Sequence, residues 1–143
     1  MRRKLLILFL GILFLILLSW LGTSLTEILP ARPSAQVQIA HAGLYQITFR
    51  VDPNPPPPAK PATLTLQIVH SSTQQLVTNA RVTIESNMET MDMGTDIVNA
   101  QSQSDGTYRV PIQFAMDGSW RVRVLVVVPG AKAESATFEV IAH

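Results

Sequence analysis

The sequence predicts an all-β fold: an immunoglobulin-like antiparallel β-sandwich of about seven strands, preceded by one amino-terminal transmembrane helix. Three observations carry this reading. An uncharged apolar run follows a basic start, period-two alternation recurs along the rest of the chain, and turn-forming pairs separate the alternating stretches. The division that follows is a signal anchor over 1–29, a tether over 30–40 and a sandwich domain over 41–143.

Arg2, Arg3 and Lys4 precede Leu5 to Leu18, which carry no charge and are broken only by Gly11, and apolar character continues to about Leu25. A basic start before an apolar run is a secretion signal or a signal anchor. Length favours the anchor, since about 20 helical residues cross a hydrocarbon core of about 30 Å. The alternative, cleavage near Pro33-Ser34-Ala35, lies far from the apolar core and puts a proline at a poor position. Basic residues stay on the cytoplasmic side, so the remainder is expected outside the cytoplasm at the cell membrane, single-pass, with the helix as its membrane contact. Pro30, Arg32, Pro33, Ser34 and Gln36 read as the tether.

The strands follow in order. Tyr45, Ile47, Phe49 and Val51 share one parity, as do Leu64, Leu66 and Ile68, then Val82 and Ile84. Tyr108, Val110, Ile112 and Phe114 form a fourth stripe, Trp120, Val122, Val124 and Val126 a fifth, and Phe138 and Val140 the last. Asp105-Gly106 and Asp117-Gly118 are tight-turn pairs, the second expected inside a hairpin joining the Tyr108 and Trp120 strands. Asp52 to Pro61, with prolines at 53 and 55–58, reads as a stiff extended linker between the first two strands.

Composition narrows the function. The chain has 143 residues, a formal net charge of +1 and no cysteine. Disulfides, thiolate metal sites and thiol catalysis are thereby excluded. No basic stripe exists for a phosphate backbone, so nucleic acid is not an expected partner. With three scattered histidines and none of the common hydrolase or phosphate-binding motifs, no enzyme is expected. The acids Glu85, Glu89, Asp92 and Asp96 lack the ordered spacing of a calcium loop.

The methionines are the remaining chemistry. Beyond the first residue they are Met88, Met91, Met93 and Met116, and three fall within the polar segment Asn87 to Thr95. A thioether is a soft donor with no proton to lose, suited to Cu(I) rather than Mg²⁺, Ca²⁺ or Zn²⁺. Parity places Met88 on the inward stripe of Val82 and Ile84, and Met116 on the stripe from Tyr108 to Phe114. His70 continues the Leu64, Leu66, Ile68 stripe and is expected at the same rim, where an imidazole would admit Cu(II). Against this stands packing, because methionine also fills irregular gaps in cores. His70 equally reads as a strand-end histidine bonded to a loop, and His41 and His143 as bystanders.

The order of features resembles the YtkA-like (FixH-related) extracytoplasmic domains. The resemblance runs through Ala42-Gly43-Leu44-Tyr45-Gln46-Ile47, Asp52-Pro53, the Leu64 to Ile68 strand and Ala80-Arg81-Val82. It continues with Met88-x-x-Met91-x-Met93-Gly94, Gly106-x-Tyr108 and Met116-x-Gly118-x-Trp120-Arg121-Val122. It implies a small immunoglobulin-type sandwich, membrane-anchored or fused to exporter subunits and linked to copper handling. Carried over by position, the candidate ligands are Met88, Met91, Met93 and Met116, and His70 has no secure counterpart. The expectation is a copper-binding module for buffering or transfer to a copper-accepting or exporter membrane protein. The alternative is a metal-free structural sandwich serving as accessory subunit of a membrane complex.

Overall fold

Alternation of apolar and polar side chains gives each strand one face to bury, and eight strands use it. The computed structural model describes residues 10–16 and 34–143. The chain divides into two units, Met1–Arg32 and Pro33–His143. In the first, residues 10–16 are helical with exposed side chains. Among the described residues no helix is long and apolar enough to cross a membrane. The anchor expected over 1–29 otherwise lies outside the described residues, as do residues 30–33 of the tether.

The second unit contains β1 (Val37–Ala42), β2 (Tyr45–Asp52), β3 (Pro61–His70) and β4 (Arg81–Met88), followed by β5 (Asp96–Ser102), β6 (Thr107–Gln113), β7 (Gly118–Val127) and β8 (Glu134–Ala142). All pairings are antiparallel, in the order β1-β2-β3-β6-β5-β4-β7-β8. The all-β expectation holds. The strands, however, number eight rather than about seven, and form one continuous curled sheet in place of two separate ones. β5 is the hinge of that curl: it pairs with β6 only at Gln101↔Arg109 and Ser102↔Tyr108, then follows β4. Pro111 explains the split. Two residues beyond Arg109, it turns its backbone the same way but has no N–H to extend the ladder.

The other seam closes through a side chain. Gln38 of β1 donates Nε2–H to the Glu139 carbonyl at 2.6 Å, and its Oε1 accepts from the Glu139 N–H at 3.4 Å. One amide thus stands in for a backbone ladder between β1 and β8 by pairing both backbone groups of Glu139. Residues 37–40, expected in the tether, are therefore strand.

Every inward residue of the six predicted stripes is buried, from Tyr45 to Val140. Phe49 of β2 stacks on Phe138 of β8 with centroids 4.5 Å apart, so the two sides of the curl meet through aromatic faces. The missed strands are those without an apolar stripe. β1 turns Val37 and Ile39 outward, and β5 exposes Ile97.

Two further expectations need correction. Asp117-Gly118 does not make a hairpin between β6 and β7. Both edges of β6 are taken by β3 and β5, and both edges of β7 by β4 and β8, so residues 114–117 arch from one side of the curl to the other. The proline segment is not an extended spacer, because β2 and β3 pair directly and the segment must fold back between them. Pro56 is buried, Ala59 donates its N–H to the Phe114 carbonyl at 2.7 Å, and His143 donates its N–H to the Pro56 carbonyl at 3.1 Å. The loop plugs one end of the barrel.

Candidate metal centre

Strand direction decides which residues share an end. β4 finishes at Met88, β6 runs into Phe114, β7 starts at Gly118 and β8 ends at Ala142. Antiparallel pairing therefore gathers the loop 89–95, the arch 114–117, the proline loop and His143 at one end. Met88, Met91, Met93 and Met116 all belong to it. Ser34 is there too, its Oγ 3.3 Å from Asn54 Oδ1.

Met88 is the inner member. It lies opposite Trp120 in the β4–β7 register and is 8% exposed. The others face water: Met91 is 53% exposed, Met93 46% and Met116 42%. Met116 thus departs from its expected inward position. β6 ends at Gln113, and buried Phe114, just past it, is the last residue of the stripe. Met88 and Met91 line an open groove of about 260 Å³ with Asn87, Glu89, Thr90, Asp92, Gly94 and Thr95; Met93 and Met116 do not line it.

The loop's shape follows from its ends. β4–β5 pairing stops at Ser86↔Asp96, while β4 continues to Met88 on its β7 side only, so the chain between swings free of β5. Gly94 takes φ +84°, a left-handed turn that disfavours side chains, and the Asp92 carboxylate caps it by accepting the Gly94 N–H at 3.3 Å. Glu89 is fixed on the outer surface. Its N–H donates to the Ser119 carbonyl at 3.0 Å, and its carboxylate receives Arg121 at 3.1 Å and Ser119 Oγ at 2.8 Å.

The soft donors of this end are its thioethers. Among the described residues no three His, Cys, Asp or Glu side chains come together in a way that could hold a metal ion. Glu89 and Asp92 are already engaged, whereas the thioethers of Met91, Met93 and Met116 stand in water without need of deprotonation. Thioether donors suit a soft monovalent cation and offer little to a hard one.

His70 does not belong here. β3 runs away from the methionines, and His70 pairs with Tyr45 at the opposite end, its ring tilted over the Tyr45 ring at 5.1 Å. Parity reports a face of the sheet and not an end, and this is why the expectation failed. The imidazole at the methionine end is His143, set aside in the sequence as a terminal residue. Knowing that β8 is antiparallel to β7, with Gly118 opposite Ala142, would have placed it beside the arch.

Known proteins supply a frame for this geometry. No curated protein sequence matches the chain. Among solved structures, uropathogenic E. coli FetP, crystallised after recombinant expression in the periplasm of E. coli, superposes with a TM-score of 0.53 at 10% identity, over 77% of this chain and 94% of FetP. The soluble domain of PmoD from a Methylocystis species superposes with a TM-score of 0.51 at 15% identity, over 76% of this chain and 98% of that domain. At these identities the likeness is one of fold. A family model described as YtkA-like matches residues 41–125, from the end of β1 through most of β7 and including all four methionines of the candidate centre. The chain belongs to the YtkA-like family.

Proposed function

We propose that this protein is an extracytoplasmic copper-binding module, held at the membrane by its amino-terminal segment, that buffers Cu(I) or passes it to a membrane partner. The observation that carries the reading is the segregation of chemistry: Met88, Met91, Met93 and Met116 all lie at one end, three of them solvent-facing, although nothing in the core calls for exposed thioethers. Met91 and Met93 are about half exposed in a loop flanked by Glu89, Asp92 and Asp96, and a ligand role gives their thioethers a use beyond packing. Only Met88 fits the packing alternative.

Exposed thioethers exchange a bound ion readily, which suits transfer better than storage. The function is binding and not catalysis. The outward location rests on Arg2-Arg3-Lys4 before the apolar run, and the recombinant expression of FetP in the periplasm accords with it. A copper-accepting or exporter membrane protein is the partner this placement fits.

The test is a Cu(I) competition titration of the full chain in detergent against a chromophoric chelator, beside a variant with Met88, Met91, Met93 and Met116 changed to Leu. The expected result is one-to-one competition that the variant loses while keeping its fold. If the unmodified chain fails to compete, the copper reading falls, and the exposed methionines become an apolar contact surface for a protein partner.

A further inference from the structure

The segment from Met116 to Trp120 contains more than a turn. Trp120 is buried and stands opposite Met88 in the β4–β7 register, while its indole Nε1–H donates to the Met116 carbonyl at 3.1 Å. The indole is braced from below by Phe114, edge-on with centroids 5.5 Å apart. Gly118 lies two residues before Trp120 and so on the same inward face. A Cβ built there would stand 2.7 Å from Met88 Cε, and φ is +134°, so the missing side chain is the space into which the Met88 methyl extends. The glycine slot and the indole bond together bring Met88 and the Met116 backbone to the same corner of the end.

We propose that Trp120 and Gly118 are positioning residues that set Met88, from β4, and Met116, from the β6–β7 arch, side by side as a fixed pair of thioether donors. Met91 and Met93 then complete the shell from the 89–95 loop. The inference rests on the copper reading and deepens it. Trp120 fixes the Met116 backbone through its Nε1–H, and Gly118 admits the end of Met88. Half of the donor set is thereby preorganised before an ion arrives, which lowers the ordering cost of binding.

The test is a double-mutant cycle on the full chain in detergent. Trp120→Phe keeps a ring against Phe114 but removes the donor to Met116. It should weaken Cu(I) binding about five- to tenfold, a loss on the scale of one hydrogen bond. In a Met116→Leu background the same change should alter affinity less than twofold, while the thermal midpoint falls equally in both backgrounds. A merely structural Trp120 would instead lower affinity by the same factor with or without Met116, and that result, or no loss in either, overturns the proposal. Should Trp120→Phe fail to fold, the indole itself reports. With Trp20→Phe leaving Trp120 as the only tryptophan of the chain's two, one equivalent of Cu(I) should change its emission, and Met88→Leu should remove the change. Copper captured from the chelator with unaltered Trp120 emission contradicts the pairing and leaves the copper reading intact. Failure of the unmodified chain to capture copper ends both.

Discussion

The two ends of the barrel are built on opposite terms. At the end that carries Tyr108, polar groups turn inward and are satisfied. The Tyr108 hydroxyl donates to the Val77 carbonyl at 2.8 Å and accepts the Ala80 N–H at 3.0 Å, pinning the long crossover between β3 and β4 to the core. Asp105 turns the β5–β6 connection by accepting from the Thr107 N–H and hydroxyl at 2.9 and 2.6 Å. At the methionine end three thioether side chains, Met91, Met93 and Met116, are about half exposed. On the proposed function, the polar contacts of the first end serve the fold and the exposed thioethers of the second serve copper. Substitutions at the first should therefore change stability and leave copper affinity alone, and those of the exposed methionines at the second should do the reverse.

The largest effect should come from the core that both ends share. Phe49→Ala removes the ring stacked on Phe138 and should cost about 3–5 kcal/mol in a urea titration, enough to weaken both ends together. Tyr108→Phe leaves the Ala80 N–H without its partner and should cost about 1–3 kcal/mol, with Cu(I) affinity unchanged within a factor of about two. A matching loss of affinity would show that the ends are coupled.

The same tyrosine gives a pH signature. Burial holds its phenol above the ordinary value of 10.0, so the unfolded chain ionises first. Stability then falls as pH rises past about 10, and the alkaline slope should flatten in Tyr108→Phe. Met91→Leu and Met93→Leu should move stability by no more than about 0.5 kcal/mol, since both side chains are exposed, while each weakens Cu(I) binding. The smallest effect belongs to Asp105, whose carboxyl is held below its ordinary 3.8 chiefly by the Thr107 hydroxyl. Its contribution is present above the unfolded value and lost as pH falls through the lower folded one, so Asp105→Asn should trim the acid limb of the stability profile.

What could be read in the sequence was what alternation encodes. Tyr45 to Val51, Tyr108 to Phe114 and Trp120 to Val126 each announce a buried face, and each is buried. β1 and β5 stayed hidden because their neighbours, and not their own apolar residues, keep them in the sheet. Gln38 holds β1 at the seam with a side-chain amide, and no periodicity signals that. The candidate centre was legible in residue type and only partly in place. Met88 lies where its parity puts it. Met116 does not, because an arch replaces the expected hairpin, and His70 does not, because parity is blind to strand direction. His143 entered the end only once the order of pairing was known.

The central claim is that this end holds copper through sulfur. It is tested most directly by X-ray absorption at the copper edge on the full chain loaded with one equivalent of Cu(I). The account predicts a first shell dominated by sulfur, which loses sulfur scatterers when Met91 and Met93 are replaced by Leu. A first shell of nitrogen and oxygen alone, unchanged by those substitutions, would contradict it.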